Sequence, residues 1–350
     1  MSEPTPSSEP RRIRWGVLST GHIAGVFARD LALLPEEAEL TAVASRGLDK
    51  AEAFAAEHGF ARAYGSYAEL ADDDEVDVVY IASPHSDHLA SARLCLEAGR
   101  AVLVEKSLTA SVAEAEELIG LARERGLFCM EAVWMRTNPL IRRVAQALRD
   151  GEIGALRHIE AGFGFAFDGP DEHRLLNPEL AGGALLDLGV YPVHLANLVA
   201  GEPTAIHGTG HLASTGVDAH AVAAMTFAGQ PPVTGALTCT LETTLPTSAV
   251  VYGTEGRIEI DNFIKPDEVR IYRGNDRETS PEVLITQLPG GGYTLQAQEV
   301  MRCLRAGELE SPLVPWEDSL ACMRTLETWR AAVDAAATRA LGGGGSSNEE

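Results

Sequence analysis

Three side chains suited to proton transfer, Asp187, Tyr191 and His194, are spaced i, i+4 and i+7 within the apolar segment 184–200. Such spacing places them along one helix face, provided that the turn at Pro192 stays helical. Together they could orient a substrate hydroxyl and exchange its proton. A simpler explanation stays open for each: an aspartate near a helix start complements the macrodipole, and buried tyrosines and histidines are ordinary core residues.

A second candidate site is the segment 19–24, Ser-Thr-Gly-His-Ile-Ala, between the first predicted strand and the first predicted helix. In dinucleotide-binding turns of the form G-x-G-x-x-G, the second glycine lets the backbone approach a pyrophosphate at a helix N-terminus. Gly21 occupies that position, whereas Ser19 and Ala24 replace the outer glycines. The pattern alone is weak, but its place after the first strand favours a dinucleotide site. The predicted contacts are Ser19, Gly21, His22 and Ile23.

The end of the second predicted strand bears on the choice between NAD and NADP. An acidic residue there binds the ribose 2′-hydroxyl, whereas an arginine accommodates a 2′-phosphate. The sequence gives Ser45 and Arg46, with Lys50 one turn further on and no carboxylate at the strand end. We therefore predict NADP as the cofactor, with NAD left open because a loop arginine is also common at a solvated surface.

Composition excludes several classes of function. A net charge of -23 opposes binding to nucleic acid or to an anionic membrane. No apolar run approaches the roughly 18 residues of a membrane span, and the polar first twelve residues do not resemble a signal peptide. The five cysteines form no CxxC pair, and His85 and His88 lack companions for a metal site. We predict a cytoplasmic protein without a metal.

The elements that must position these residues follow two patterns. Over 13–132, strands alternate with helices of about ten residues, which predicts βαβ units and a Rossmann-type doubly wound parallel sheet. Over 133–341, helices flank several short strands separated by turns, which predicts an α+β domain with a large, mostly antiparallel open sheet. The fold class is therefore α/β, with a disordered N-terminal tail at 1–12 and a flexible tail at 342–350.

The segment 81–108 resembles the Gfo/Idh/MocA oxidoreductase family. Its marks are a strand ending in T/S-P-N/H-x-x-H and a later strand ending in E-K-P, here 83–88 and Glu105-Lys106-Ser107. Ordered matches continue at 130–136, 182–194, 253–258 and 310–312, and are most similar to the branch with dimeric dihydrodiol dehydrogenase and glucose-fructose oxidoreductase. Ser107 replaces the usual proline, which leaves open whether the Lys106–Ser107 peptide bond is cis.

The resemblance implies roles for individual residues. Lys106 would point into the same cleft as Tyr191, lower the pKa of that phenol and bind the substrate hydroxyl. Tyr191 would donate or accept the proton, with Lys106 as a rival, while Asp187 would orient the lysine or the substrate. His194 is a further candidate for substrate contact. Additional implied cofactor contacts are Ser83, Pro84, His85, His88, Glu105, Lys106, Trp134 and Arg136.

The expected function is NADP(H)-dependent hydride transfer to or from a carbinol or carbonyl carbon of a sugar, polyol or vicinal diol. Two alternatives stay open: a glycosidase-type hydrolase that oxidises its substrate transiently with tightly held NAD(P), and a non-catalytic dinucleotide sensor. A sensor needs neither Lys106 nor Tyr191. Because family members often pair through the open sheet, domain 133–341 is expected to serve substrate binding and dimerisation, giving a homodimer or higher homo-oligomer.

Overall fold

The computed structural model describes residues 11–276 and 278–342. Apart from Arg11, Arg12 and Gly342, the two predicted tails lie outside the described residues. The first strand begins at Ile13, as predicted, and the last helix runs from Trp316 to Gly342.

The N-terminal sheet has six parallel strands in the order β3-β2-β1-β4-β5-β6. The strands are β1 Ile13–Leu18, β2 Ala38–Ala44, β3 Arg62–Tyr64, β4 Val78–Ile81, β5 Ala101–Glu105 and β6 Cys129–Ala132. The helices are α1 His22–Leu31, α2 Leu48–His58, α3 Tyr67–Ala71, α4 His88–Glu97 and α5 Val112–Arg125. β4 and β5 are buried throughout, as expected for strands covered by helices on both faces. The predicted doubly wound sheet is confirmed, although β3, α3 and β6 were not predicted.

This strand order determines where a ligand binds. The chain winds outwards in opposite directions from β1 and β4, and open α/β sheets bind ligands outside the carboxyl ends of their strands at such a switch point. Residues that follow β1, β2, β4 and β5 therefore converge at one edge of the sheet.

The second sheet has eight strands in the order β14-β13-β12-β11-β7-β10-β9-β8. They are β7 Leu156–Gly164, β8 Ala205–Leu212, β9 Asp218–Phe227, β10 Val233–Thr240, β11 Ser248–Gly253, β12 Gly256–Asp261, β13 Glu268–Arg273 and β14 Glu282–Ile285. β7 and β10 pair in parallel, whereas the other neighbours pair antiparallel. The predicted mostly antiparallel sheet is confirmed, and β14 is an addition to it.

Helices cover one face of the second sheet. The remaining helices are α6 Pro139–Arg149, α7 Val190–Ala200, α8 Thr294–Ala306 and α9 Trp316–Gly342. α7 packs on β7 and β10, and α9 packs on β8. Along the strands, Ile159 and Leu237 are fully buried, whereas the alternating Ala224 and Ala236 are exposed on the opposite face. The period of two thus separates a packed face from an open one.

The segment Pro178–Ala200 is long and apolar enough to cross a membrane by length and composition, contrary to the sequence-based expectation. However, 72% of its most apolar stretch is buried inside the protein. It contains α7, which packs between the second sheet and α9, so its apolar character is explained by the core.

Candidate active site

Two connected hollows lie along the carboxyl ends of β1, β2, β4 and β5. The first, about 850 Å³, is lined by residues that include Ser45, Arg46 and Lys50. The second, about 500 Å³, is lined by residues from both sheets, among them Lys106 and Tyr191. Both hollows include Ser19, Gly21 and Arg46, so they form one continuous cleft.

The first hollow has the features of a dinucleotide site. No side chain caps the N-terminus of α1 at Gly21, which leaves first-turn N–H groups available to an anion. A Cβ at Gly21 would approach only the Ser19 hydroxyl, at 3.8 Å, so the space beside the turn is open. In the adjoining second hollow, the Ser83 hydroxyl is buried without a hydrogen-bond partner among the described residues. These residues fit the predicted dinucleotide, with Arg46 and Lys50 on the side expected for a 2′-phosphate.

Lys106 and Asp187 form a buried ion pair in the second hollow. The Lys106 ammonium donates to the Asp187 carboxylate oxygen Oδ1 at 2.9 Å and to its main-chain carbonyl at 2.8 Å. Burial favours the neutral amine, but Asp187, together with the other groups around the ammonium, outweighs this effect and raises the pKa of Lys106. The lysine is therefore held as a cation at the exit of β5.

Arg174 binds the same oxygen of Asp187. Its guanidinium lies 2.9 Å from Asp187 Oδ1, and its side chain remains 50% exposed at the cleft. Burial opposes ionisation of Asp187, but Lys106 and Arg174 together hold its pKa well below the usual range. Asp187 therefore stays ionised and fixes the direction of the lysine.

The Tyr191 hydroxyl receives a hydrogen bond from the indole N–H of Trp134 at 3.0 Å, and the Lys106 ammonium lies 5.3 Å from the centre of the phenol ring. Lys106 lowers the pKa of Tyr191, as expected, but the net shift of this pKa is upward. Burial raises this pKa more than the ammonium lowers it, so the phenol keeps its proton at neutral pH.

A π-helical turn explains why His194 does not join this group. Leu185–Gly189 is π-helical, and α7 follows directly, with Pro192 near its start. The wider turn breaks the i, i+4, i+7 alignment on which the prediction depended. Asp187 and Tyr191 line the cleft, whereas the fully buried His194 lies against Glu131, with 3.2 Å between Nε2 and Oε2. The expectation that His194 contacts the substrate is therefore corrected: His194 contacts Glu131 within the core.

Two other predicted cofactor contacts lie elsewhere. Arg136 is 4% exposed and pairs with Asp318 at 2.5 Å, outside both hollows. Trp134 lies behind the cleft wall, between Tyr191 and Tyr293, with 4.8 Å between the Trp134 and Tyr293 ring centres. The position of Arg136 thus does not support the predicted contact with the cofactor. Trp134 contacts two residues of the cleft wall, Tyr191 and Tyr293, rather than the cleft itself.

The histidines of the Ser-Pro-His-x-x-His motif join loops. Both ring nitrogens of His88 face main-chain carbonyls, of Ser83 and Ser107, at 2.9 Å. His85 faces the carbonyls of Lys106 and Ala181 at 3.1 and 3.2 Å, and burial lowers its pKa to about 3. Burial lowers the pKa of His88 as well, and a ring in its neutral form donates to only one of the two carbonyls that it faces. The Lys106–Ser107 peptide bond, left open by the sequence, is cis.

Several wall residues of the second hollow were not predicted individually. They are Phe163, Phe165, Arg174, Leu180, Leu188 and Tyr293. Most lie in or beside the loop that follows β7, and Tyr293 directly precedes α8. No spacing signal marks them, because loop and turn residues reach the cleft through tertiary packing alone.

Comparison with known proteins identifies the family of this chain. Residues 13–133 match the oxidoreductase family with an NAD-binding Rossmann fold, and residues 141–259 match the GFO/IDH/MocA C-terminal domain. The mouse trans-1,2-dihydrobenzene-1,2-diol dehydrogenase is 39% identical over 327 residues, covering 92% of this chain and 97% of the relative. The human enzyme of the same name is 36% identical over 331 residues, covering 92% and 97%. The chain belongs to the Gfo/Idh/MocA oxidoreductase family.

Solved structures of other proteins share this fold over most of the chain. A 3-ketoreductase from Actinomadura kijaniata, in complex with NADP and TDP-benzene, superposes with a TM-score of 0.82 at 29% identity, covering 92% of this chain and 98% of that one. A levoglucosan dehydrogenase, in complex with NADH and levoglucosan, has a TM-score of 0.84, with coverage of 93% and 98%. At 18% identity, the second likeness concerns the fold alone.

This site can bind a substrate oxygen and donate a proton to it. A cationic Lys106 offers N–H donors to a substrate oxygen, a neutral Tyr191 offers a phenolic proton, and an ionised Asp187 keeps the lysine in place. Burial also raises the pKa of Glu105, which receives a hydrogen bond from Tyr80, to about 7. Lys106, Asp187 and Tyr191 are thus each held in one protonation state at neutral pH, whereas Glu105 titrates near it.

Proposed function

We propose that this chain is an NADP(H)-dependent oxidoreductase that acts on a carbinol or carbonyl carbon of a sugar, polyol or vicinal diol. The observation that carries the proposal is the Lys106–Asp187 ion pair beside Tyr191, in a cleft continuous with the Gly21 turn. The names of the relatives, which include diol dehydrogenases and a ketoreductase bound to NADP, support the same class.

A bound nicotinamide would supply the hydride chemistry. In the reductive direction, Lys106 would bind the carbonyl oxygen and Tyr191 would deliver its proton, since both groups hold protons at neutral pH. In the oxidative direction, Lys106 would bind the hydroxyl, and Tyr191 would first release its phenolic proton to solvent so that the phenolate could take up the proton of the hydroxyl. Phe163, Phe165 and Leu188 would form the apolar walls against a ring or carbon chain.

The cofactor preference rests on the first hollow. Arg46 and Lys50 line it together with Ser45, Asp49 and Glu57, and the two residues that directly follow β2, Ser45 and Arg46, carry no carboxylate that would bind a ribose 2′-hydroxyl. We propose NADP(H) as the preferred cofactor over NAD(H), because two cations there suit a 2′-phosphate.

The test is a spectrophotometric screen with NADP(H) and NAD(H) over vicinal diols, aldoses and 3-keto sugars. Steady interconversion of NADP and NADPH with at least one compound is the expected result. Silence across all compounds and both directions would overturn the proposal. Release of a glycoside's leaving group with no net change in cofactor would instead indicate the hydrolase alternative.

The assembly, location and domain division are further parts of the proposal. We propose that the open face of the second sheet pairs two copies in a cytoplasmic homodimer, and that 13–132 and 133–341 are the cofactor and substrate domains. Exposed small residues such as Ala224 and Ala236 on that face are compatible with close sheet packing. Sedimentation equilibrium would show a dimer mass, and a monomer at all concentrations would exclude the pairing.

A further inference from the structure

Asp30, in the last turn of α1, binds a distant segment of the chain. Its two carboxylate oxygens accept main-chain hydrogen bonds from Gly291 at 2.6 Å and from Tyr293 at 2.7 Å. Asp30 is 4% exposed, and no salt bridge to it occurs in the described part of the chain. A buried carboxylate is costly unless it is fully hydrogen-bonded, so these two contacts define the role of the side chain.

The segment held by Asp30 is a glycine turn pressed between α1 and Trp134. Gly290 and Gly292 have φ angles of +59° and +102°. A Cβ at Gly290 would lie 2.3 Å from Asp30 Oδ1, and one at Gly292 would lie 3.0 Å from the Trp134 ring. Glycines permit this close packing but leave a turn conformationally free unless something restrains it. Asp30 supplies the two shortest hydrogen bonds to this turn, beside longer ones from Lys265 to the Gly290 carbonyl and from Thr294 to the Pro289 carbonyl.

The turn ends at a wall of the substrate hollow. Tyr293, whose N–H is bound by Asp30, lines the same hollow as Lys106 and Tyr191. Its ring stacks on Trp134 with an interplanar angle of 8°, and Trp134 in turn donates to the Tyr191 hydroxyl. Contacts therefore run continuously from Asp30 through Tyr293 and Trp134 to the proposed proton donor.

We propose that Asp30 is a positioning residue that fixes Tyr293 as a cleft wall and thereby holds Trp134 in place to orient the Tyr191 hydroxyl. Asp30 lies at the opposite end of α1 from the Gly21 turn, so one helix carries both the dinucleotide contact and this restraint. The effect of Asp30 on turnover rests on the proposed function. Its effect on the positions of Tyr293 and Trp134 does not.

The geometric part is tested by ¹⁹F NMR of protein labelled with 5-fluorotryptophan. The four tryptophans give four signals, and Trp134→Phe identifies that of Trp134. Asp30→Ala is expected to shift or broaden the Trp134 signal while the signals of Trp316 and Trp329 stay in place. An unmoved Trp134 signal in folded Asp30→Ala protein would overturn the inference whether or not the protein turns over a substrate. Should Asp30→Ala not fold, Asp30→Asn, which keeps the shape and one acceptor oxygen, is measured in its place.

The catalytic part is tested with the best substrate from the screen. Asp30→Ala is expected to lower kcat by about tenfold to a hundredfold, because small misplacements of reacting groups have effects of that size, while the Kd for NADPH changes less than about threefold. Asp30→Asn should recover part of kcat. In a Tyr293→Ala background, Asp30→Ala should add little further loss of kcat, because the group it positions is already gone.

Glu299→Gln is the matched control. Glu299 is also a buried carboxylate that fixes a neighbouring segment, through Ser311, but it makes no contact with the cleft. The Glu299→Gln substitution should lower the Tm and leave kcat unchanged. Additive losses of kcat from Asp30→Ala and Tyr293→Ala would overturn the positioning role, whereas absence of turnover in the unmodified protein would overturn only the proposed function.

Discussion

The indole N–H of Trp134 donates a 3.0 Å hydrogen bond to the hydroxyl oxygen of Tyr191. This bond occupies a lone pair of the phenol oxygen, so the phenolic proton points elsewhere. It also favours the phenolate and opposes, in part, the rise in the Tyr191 pKa that burial causes. Trp134 therefore influences both the direction and the acidity of the proposed proton donor.

Replacing Trp134 by Phe should retain the stack on Tyr293 and remove only the donor. We expect kcat to fall by about tenfold and its dependence on Tyr191 ionisation to move to higher pH, because one hydrogen bond to the charged form is lost. The measurement is a pH profile of kcat. Trp316→Phe is the matched control, since that indole donates to a carbonyl, of Cys129, away from the cleft. An unchanged profile in Trp134→Phe would contradict the assigned role.

Lys106→Met should separate binding from turnover. The variant keeps the side-chain length but removes the cation that binds the substrate oxygen, while Arg174 still pairs with Asp187. We expect kcat to fall by about 10²–10³-fold, with the Kd for NADPH within a few-fold of the unmodified protein. Steady-state rates and a fluorescence titration of NADPH measure the two effects. Comparable turnover by Lys106→Met would exclude this lysine from the chemistry.

The location of the cleft could be predicted from the sequence because parallel strands end at one edge. The residues after β1, β2, β4 and β5, namely Ser19, Ser45, Ser83 and Lys106, follow short apolar runs that any reader of the pattern would assign as strands. Topology then brings them together without further information.

Other features of the site depend on tertiary structure, which the spacing of residues in the sequence does not reveal. A π turn at Leu185–Gly189 shifts the helical register, which moved His194 to the core. The pKa direction of Tyr191 depends on burial, a property of the whole packing arrangement. Tyr293 enters the site from a glycine turn some hundred residues beyond Tyr191 in the sequence, held there by Asp30. Each of these outcomes is tertiary in origin.

Ser19→Gly should stabilise the protein. Ser19 replaces the first glycine of the turn motif and has a φ of +89°, a region that disfavours residues with a Cβ. Relief of that strain exceeds the extra freedom glycine gives the unfolded chain, for a net gain of about 0.5–1 kcal/mol. Urea unfolding measures it. Ser45→Gly, in the same cleft but without a positive φ, should instead lose stability, and equal effects at both positions would contradict the argument.

Arg46→Ala should change the choice of cofactor. The guanidinium would lose its contact with a 2′-phosphate, so we expect the Kd for NADPH to rise by about tenfold to a hundredfold and that for NADH to stay nearly constant. Fluorescence titrations with each cofactor measure the ratio of the Kd for NADPH to the Kd for NADH. Lys50→Ala should give a smaller change of the same sign, since a lysine lacks the paired donors of arginine. Equal weakening of NADPH and NADH by Arg46→Ala would place the arginine away from the 2′-phosphate.

Glu105 should make folding stability depend on pH near neutrality. Burial raises its pKa from 4.5 to about 7, against the opposing effects of the Tyr80 hydrogen bond and of Lys106. Between these two values the folded protein holds a proton that the unfolded chain releases. The folded state therefore binds more protons, and stability falls as pH rises from about 4.5 to 7. The difference amounts to at most about 3 kcal/mol.

Glu105→Gln removes this titration while every other carboxylate remains. We expect the loss of stability between pH 5 and pH 7.5, measured by urea unfolding, to be smaller in Glu105→Gln than in the unmodified protein by about 1–3 kcal/mol. Tyr80→Phe, which removes the donor to Glu105 Oε1, should have the opposite effect, because it raises the pKa of the carboxyl further. If Glu105→Gln and the unmodified protein lose the same stability between pH 5 and pH 7.5, Glu105 is already ionised at pH 5. The buried carboxyl would then not be the neutral group that its surroundings imply.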